Sequence, residues 1–492
     1  MSPGPMKSAE IAVGPHAGGE SDAQPLAFAI ARVLLVATLI GATLAFGAVD
    51  TWAWVGVGLV ACLAIVLWAA GSVQEGALKL VWSPLFIPLA LFLILGLVQY
   101  GARVTLDRSE AREALVLLSI DITLFFLTVQ LYGRAGSAAW RRFGLAVLVF
   151  AGSLGLFAIL QFASGQGGIY GKFGGSDESV FGPYGNLDHY AGLMEMLVPV
   201  AVLYIFGRKH RLSLAAWGLL VFAAVVAVAS LLLSGSRGGL IALSVETVIV
   251  IALCGWGVRG IEGRRLPMAV GAAILAAALL FSWVDPGRVS ERLGVVLKVG
   301  SPTWVDWIAS RKSYAMDSLR MVRDHPVLGV GLGSFETAYP GYQSLPGDEW
   351  VDHAHDDYVE AIAETGVVGG MLILSAVALF LRLAFADLGY RLRSGIGWIQ
   401  LGSAIGCCGL LVHSFFDYNL HIPANAAWFA VLAGLSSAEN PTSQSKHSPS
   451  PHSEATTVAG EQGLTPVIAS EGQRSGQERS RLSVSSLNPR DR

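Results

Sequence analysis

Charged residues are scarce in this chain of 492 residues: Asp, Glu, Lys and Arg make up only 14% of it, and the net charge is −3. An average soluble domain carries roughly 25% charged residues. The chain also lacks a basic stretch with interleaved aromatics, which excludes nucleic acid as a partner. Hydrophobic residues reach 53% and the mean hydropathy is +0.57, so most of the chain is expected to lie in lipid.

Cysteine is rare as well. The few thiols fall inside apolar stretches, where cysteine behaves as a small hydrophobic residue, so no disulfide framework is expected. They are Cys62, Cys254, Cys407 and Cys408. The first residues are polar and include acidic side chains, unlike the basic opening of a cleaved signal peptide, so the first apolar segment is expected to remain as a span.

Apolar runs of about 17–23 residues, enough to cross a hydrocarbon core of roughly 30 Å as helix, recur along the chain. They start near Phe28, Trp52, Trp82, Ala114, Phe143, Tyr190, Leu212, Gly238, Pro267, Val367, Ile396 and Ile422. The sequence therefore predicts an all-α polytopic membrane protein with about twelve transmembrane helices.

The short loops on one side of these spans are the richer in Lys and Arg. They carry Lys79, Arg134, Arg141, Arg142, Arg208, Lys209, Arg211, Arg259, Arg264, Arg265, Arg391 and Arg393. The positive-inside rule then places both termini in the cytoplasm. The stretch from Arg103 to Arg112 runs against this rule, because its three arginines lie on the opposite side.

This topology divides the chain into five parts. Residues 1–26 are predicted to be a disordered cytoplasmic N-terminus, residues 27–284 transmembrane helices one to nine, and residues 285–365 a large periplasmic loop with short helices, one of them amphipathic at 311–324. Residues 366–437 hold the last three helices. Residues 438–492, rich in Ser, Pro, Gln and Thr, are predicted to be a disordered cytoplasmic tail.

Four segments are more polar than a loop requires, and the predicted topology opens all four onto the same face. They are FGPYGNLDHYAG from Phe181, SGSRGGL from Ser234, the stretch from Asp324 to Gly370, and HSFFDYNLHIP from His413. A reaction centre needs its base, its charge clamp and its orienting groups within reach of one substrate, so this convergence favours a functional site.

Arg237 begins a span next to two glycines. A guanidinium there can clamp a diphosphate with bidentate hydrogen bonds, or it can simply reach the lipid interface. His353 and His355 lie in a loop crowded with acids, where either imidazole can act as a general base, bind a metal, or serve as an ordinary surface histidine. The residue types alone leave these alternatives open.

Other polar residues also allow two interpretations. Asn186, His189, Asp417 and His421 either contact substrate or serve as helix caps and satisfied interface groups. A different class of protein, a secondary transporter, is suggested by carboxylates inside apolar runs, where they are costly and serve either a proton relay or a structural polar pair. They are Asp121, Glu195 and Glu246. A transporter of this kind usually contains internal repeats, and none is found in this sequence.

At the four polar segments the sequence resembles the O-antigen ligase and O-antigen polymerase superfamily of integral-membrane glycosyltransferases. The outer loop of that family carries D-H-P-(L/I/V)-x-G-x-G, then a His followed by Asn, Ser or Gln, nine residues and G-x-x-G. Here DHPVLGVG begins at Asp324, and His355 is followed at the family spacing by Gly366 and Gly369. Asp356 departs from the pattern, because an amide or hydroxyl is usual there.

The resemblance extends to two further segments. The family arginine that engages the lipid diphosphate matches Arg237 in SGSRGG. GNLDHYAG resembles the family's N-x-N-H-(F/Y)-A segment, so Asn186 and His189 carry over, whereas Leu187 and Asp188 replace the usual residues.

The resemblance implies a reaction without nucleotide sugar, and no metal cofactor is required by this account, because no Asp-x-Asp motif for a divalent ion stands out on the outer face. An acceptor hydroxyl, on lipid A core or on a growing polysaccharide, attacks a glycan carried on undecaprenyl diphosphate, with inversion. His355 is the expected base, with His353 as second choice, and Arg237 the expected diphosphate ligand, helped by Arg311 or Arg320. His353, Asp356, Asp417 and His421 are expected to contact substrate. A ligase is the first expectation, followed by a polymerase and then a protein O-glycosyltransferase.

Overall fold

The computed structural model describes residues 9–12, 24–165, 168–173, 179–208, 212–257, 286–344 and 350–438. The chain divides into two units, Met1–Ser443 and Gln444–Arg492, and every described residue lies in the first. The predicted tail at 438–492, most of the predicted N-terminal region at 1–26, and the span predicted near Pro267 therefore lie outside the described residues.

The described residues are mostly helical. The long helices are α1 Leu26–Leu44, α2 Thr51–Gln74, α3 Phe86–Gly101, α4 Arg108–Gly133, α5 Ser137–Ser164, α6 Leu187–Phe206, α7 Leu214–Ser234, α8 Arg237–Gly257, α9 Pro286–Leu297, α10 Pro302–Asp324, α12 Asp357–Ala384, α14 Gly395–His413 and α15 Pro423–Ser437. The short helices are α11 Phe335–Ala338 and α13 Leu388–Arg391. A short antiparallel pair joins β1 Ala9–Ala12 to β2 Ala77–Leu80.

Eight of the described helices are long and apolar enough to cross a membrane: α1, α2, α4, α5, α6, α7, α12 and α14. The protein is thus a multi-pass membrane protein, as its composition predicts. Helix α3 is a shorter apolar helix of 16 residues. The count of about twelve spans, which also includes α8 and α15, stays a prediction.

Helices α6 and α14 form the centre of the bundle. In each of them 83% of the most apolar window is buried, against 22% for α2 and 17% for α12, whose remaining surface suits contact with lipid. Two glycines of α14 allow the close approach. A Cβ on Gly402 would lie 2.7 Å from Cα of Val200, and one on Gly406 would lie 2.4 Å from the carbonyl oxygen of Met196. Small residues at such crossings let two helix backbones pack tightly.

The helix predicted at 311–324 is the second half of α10. After it, the DHPVLGVG segment packs against α12. The Val330 amide donates to the carbonyl of Ala363 (3.0 Å), and the Gly331 amide donates to the carbonyl of Glu364 (2.9 Å). At Gly366, φ is +65° and α12 kinks. A Cβ at Gly366 would lie 2.2 Å from the backbone oxygen of Val327 in this segment. Glycine is therefore required at position 366 for the close packing.

Candidate functional site

The four polar segments meet at one end of the bundle. His189, in the first turn of α6, lies 3.6 Å from Asp417, just beyond α14. Asp357, the first residue of α12, accepts a hydrogen bond from the Ser414 hydroxyl at 2.6 Å. At the start of α8, a Cβ on Gly238 would lie 2.4 Å from the ring of His413. The helix ends that carry the predicted site residues are thus brought into contact.

His355 is held by a buried carboxylate. Its Nδ1 lies 3.1 Å from Oδ1 of Asp417, whose side chain is only 1% exposed. Burial would raise the pKa of Asp417, but His189 and His355 outweigh it and hold that pKa well below its usual range. An ionised Asp417 favours the tautomer with the His355 proton on Nδ1, which leaves Nε2 able to accept a proton.

The backbone of His355 is unusual, with φ at +52°. A residue other than glycine pays a conformational cost in this left-handed region, and such strained residues concentrate at functional sites. The next residue, Asp356, is the N-cap of α12. Its Oδ1 accepts hydrogen bonds from the amides of Tyr358 (3.0 Å) and Val359 (3.1 Å). Burial raises the pKa of Asp356 to about 6.

A second group of histidines lies beside this pair. Nδ1 of His353 is 2.7 Å from Oε1 of Glu360, and Nε2 of His421 is 3.3 Å from the same oxygen. Nδ1 of His421 lies 3.0 Å from Asp357. Burial would lower the pKa of His421, but the carboxylates of Glu360 and Asp357 outweigh burial and raise it to about 10.

Tyr418 connects the two groups. Its ring stacks on His353 with the centroids 4.2 Å apart, and it meets His355 edge-on at 4.9 Å and His189 edge-on at 4.8 Å. Because one aromatic ring contacts three imidazoles, the side chains of the loop at 353–355 are fixed relative to α6.

Two arginines lie against one indole ring. The guanidinium of Arg237 is 5.6 Å from the centroid of Trp307 and 5.2 Å from that of Trp304. Arg311 lies 5.5 Å from the same Trp307 ring. Nε of Arg237 is buried and has no hydrogen-bond partner among the described residues. Aromatic faces stabilise a cation without neutralising it, so this part of the site keeps its positive charge.

Phe416 joins the arginines to the histidines. The Nε–H of Arg311 donates to the carbonyl of Phe416 at 3.1 Å, and the Phe416 ring stacks on Trp307 at 5.7 Å. The next residue in the chain is Asp417, which holds His355. The predicted clamp Arg237 and the predicted base His355 are therefore parts of one continuous cluster.

Two predicted site residues, Arg320 and Asn186, make structural contacts. Arg320 forms an ion pair with Asp317 and donates to the carbonyl of Tyr342 at 2.6 Å, in a network of α10 that also includes the Tyr339 hydroxyl. Asn186 is the N-cap of α6, accepting from the Asp188 amide at 2.8 Å, as its alternative interpretation has it. A contact of either residue with substrate stays a prediction.

Of the carboxylates that suggest a transporter, Glu195 and Glu246 lie deeper in the bundle. Glu195 is fully buried and lies 3.1 Å from Nδ1 of His413. Glu246 is 2% exposed, and both of its carboxylate oxygens lack a hydrogen-bond partner among the described residues. Glu195 thus forms the structural polar pair that is one of its two interpretations.

Sequence reasoning missed Glu360, Asp357 and Tyr418. Asp357 and Glu360 were visible only as members of an acidic stretch, and Tyr418 as part of HSFFDYNLHIP. His353 lies seven positions before its partner Glu360, but His421 lies 64 positions after Asp357 in another segment. The positions of the two carboxylates one turn apart at the start of α12 gave the single available signal, since residues three apart share a helix face.

The fold and the site together define a multi-pass membrane protein with a charged centre at one end of its helices. Residues 222–374 match the family model described as O-antigen ligase, which confirms the resemblance to that superfamily. The matched residues include Arg237, Arg311, His353 and His355. At this coarse level the chain is an enzyme of the membrane glycosyltransferase or ligase type. No significant match was found among curated proteins.

Proposed function

We propose that this protein transfers a glycan from undecaprenyl diphosphate to a sugar hydroxyl of lipid A core, at the periplasmic face of a bacterial inner membrane. The observation that carries the proposal is the continuous cluster from Arg237 through Trp307 and Phe416 to His355, which combines a cationic half with a held imidazole. This combination suits a reaction that deprotonates a hydroxyl and releases an anion.

In the proposed donor complex, Arg237 and Arg311 hold the diphosphate. A guanidinium is permanently charged and offers paired donors that match phosphate oxygens. Arg237 is the stronger candidate, because its buried Nε has no hydrogen-bond partner among the described residues. An anion at this position would satisfy that donor and neutralise the charge that the indole rings leave in place.

The proposed reaction is a single displacement. The acceptor oxygen forms a bond to the anomeric carbon while the bond from that carbon to the diphosphate breaks. The hydroxyl proton passes to Nε2 of His355, and the bonding electrons leave on the diphosphate oxygen. The arginines stabilise the charge that develops there, and Asp417 stabilises the imidazolium that His355 becomes.

The placement at the periplasmic face rests on charge. The helix ends that carry the site face away from the loops rich in Lys and Arg, including the one after α6 that carries Arg208. Positively charged short loops tend to stay in the cytoplasm, which supports the proposal that the site end faces outwards. The acceptor class is the part of the proposal that depends most on the family resemblance.

The central test uses Arg237→Ala and His355→Ala in a transfer assay with purified protein and lipid-linked donor. We expect the transfer rate to fall about 100–1000-fold for Arg237→Ala, as for loss of a charge-stabilising donor. For His355→Ala we expect about 100–10,000-fold, as for loss of a general base.

The matched control for Arg237 is Arg208→Ala, just beyond the opposite end of α6. It should transfer at the wild-type rate. Wild-type transfer by the Arg237 or His355 variant, in protein that remains monodisperse, would remove that residue from the mechanism.

Deletion of the gene separates the candidate reactions. Surface polysaccharide run on a gel should lose all capped lipopolysaccharide if the protein is a ligase. Single-repeat products in its place would indicate a polymerase of the same superfamily. An unchanged profile would contradict both and would favour another polymer, a protein acceptor or transport.

A further inference from the structure

The second histidine group has the geometry of a metal site. One atom each from His353, Glu360 and His421 lies within 4.8 Å of the other two. The atoms are Nδ1 of His353, Oε1 of Glu360 and Nε2 of His421, and the two nitrogens lie 2.7 and 3.3 Å from the shared oxygen. Ligand atoms around a tetrahedral Zn²⁺ are about 3.3 Å apart, from bond lengths of about 2.0 Å. The two nitrogen–oxygen separations lie close to that value.

The remaining polar atoms of two of these side chains are already occupied. Oε2 of Glu360 accepts from the Ala354 amide at 2.7 Å. Nδ1 of His421 lies 3.0 Å from Oδ1 of Asp357, an arrangement that leaves Nε2 for another partner. Histidines that bind metals usually donate their second N–H to a carboxylate or carbonyl, which fixes the ring and raises its basicity. Asp357 occupies that position here.

Charge favours a divalent ion at this point. Glu360 and Asp357 are 1% and 5% exposed, so two negative charges lie buried within one turn of α12. A divalent cation with two neutral imidazoles and these two carboxylates forms a neutral assembly, and it adds to the hydrogen bonds that Asp357 already accepts from Ser414 and Leu420. The His353 and His421 side chains remain 27% and 32% exposed, so an ion can reach the group from solvent.

We propose that His353, Glu360 and His421 bind a divalent transition metal ion of the Zn²⁺ class, with Asp357 orienting His421. The ion replaces the proton shared between Nε2 of His421 and Oε1 of Glu360, and that proton is released to solvent. Three protein ligands leave one coordination position open for water. The bound ion fixes His353, and through the stacked Tyr418 ring it fixes the position of His355.

The test measures metal binding by the full chain, purified in detergent without a polyhistidine tag and stripped with a chelator. After loading with Zn²⁺ and desalting, we expect one zinc per chain by mass spectrometry. Loading with Co²⁺ should give the intense visible absorption of a four-coordinate ion. His325→Ala, an exposed histidine outside the group, should bind like the wild type.

Three variants decide the assignment. Glu360→Gln and His421→Ala should each abolish the bound zinc. Asp357→Asn should weaken Zn²⁺ binding about 10–100-fold, the usual effect of removing a carboxylate that orients a ligand. His421→Ala removes a partly exposed ring, so it keeps the test decisive if Glu360→Gln is not monodisperse.

Less than one zinc in the wild type, or unchanged binding in His421→Ala, would overturn the metal site. Because the readout is bound metal and not glycan transfer, its failure leaves the proposed transferase untouched. Conversely, a transferase that fails its own test can still hold the ion.

Discussion

The two halves of the site treat charge in opposite ways. In the histidine half, every imidazole faces a carboxylate: His355 and His189 share Asp417, whereas His353 and His421 share Glu360. In the arginine half, Arg237 and Arg311 lie against Trp307, and neither forms an ion pair within the described ranges of the chain. The histidine half thus contains its own counter-charges, whereas the arginine half keeps its positive charge.

This difference has a physical consequence. Internal carboxylates hold the rings in fixed positions and set their tautomers before any ligand arrives, which is what a proton acceptor needs. A cation that is packed on aromatic rings is held in place yet still lacks a counterion, so an incoming anion supplies it. The predictions below test whether the two halves really divide their work in this way.

Among the substitutions that compare the two halves, the largest effect is expected from Asp417→Asn, which replaces a carboxylate of the histidine half with an amide of nearly equal size. The amide can donate towards Nδ1 of His355, which favours the wrong tautomer and removes the compensating charge. We expect transfer to fall on the order of 100-fold or more, since loss of the orienting carboxylate costs up to about 10⁴-fold in serine proteases. The measurement is the rate of transfer at saturating donor.

The control for this change is Asp352→Asn, an exposed carboxylate in the same loop as His355. It should transfer at the wild-type rate. Equal rates for Asp417→Asn and wild type would mean that the 3.1 Å contact between Asp417 and His355 does not set the tautomer of the base.

An intermediate effect is expected from Trp307→Leu in the arginine half. Leucine keeps an apolar side chain but removes the ring face shared by Arg237 and Arg311. A cation–π contact contributes about 0.5–2 kcal/mol, so we expect KM for the lipid-linked donor to rise about 3–30-fold. The maximal rate should change less than KM.

Trp350→Leu is the matched control. Trp350 lies in the same stretch of the chain, 285–365, and is exposed, and its indole N–H donates to Glu336 and not to either arginine. Its KM should equal that of the wild type. A fall in the maximal rate at unchanged KM for Trp307→Leu would contradict the division, because the ring would then act on the chemical step.

Much of the site could be predicted from sequence, because helix ends are ordered along the chain. The alternation of spans places His189, Arg237, His355 and Asp417 on one face, and the structure brings them together. The pairing of individual side chains could not be predicted in this way. His355 meets Asp417 across 62 positions, and that register depends on how α12 packs against the end of α14.

Arg320 shows that nearness in sequence can suggest a shared role that the helix geometry does not allow. Its position in the amphipathic segment 311–324 made it look equivalent to Arg311, nine residues earlier. Nine residues correspond to two and a half turns of helix at 3.6 residues per turn, so the two side chains point to opposite faces of α10. Arg311 accordingly reaches Phe416, whereas Arg320 pairs with Asp317.

The smallest effect is expected at Asp356, which follows His355 in sequence but serves as the N-cap of α12. Its carboxylate caps α12 through the amides of Tyr358 and Val359. Asparagine and serine, two of the three residues that the family pattern allows here, are equally good N-caps. Asp356→Asn should therefore change the free energy of unfolding by only a few tenths of a kcal/mol, and Asp356→Ala should lower it by about 0.5–2 kcal/mol.

Thermal unfolding followed by tryptophan fluorescence checks the two substitutions at Asp356, and the transfer assay distinguishes a cap from a partner of the base. If the carboxylate only caps α12, Asp356→Asn transfers like the wild type while Asp417→Asn does not. If both asparagine variants lose transfer to the same extent, Asp356 belongs to the histidine half, and the negative charge next to His355 matters as well as the hydrogen bond that His355 donates to Asp417.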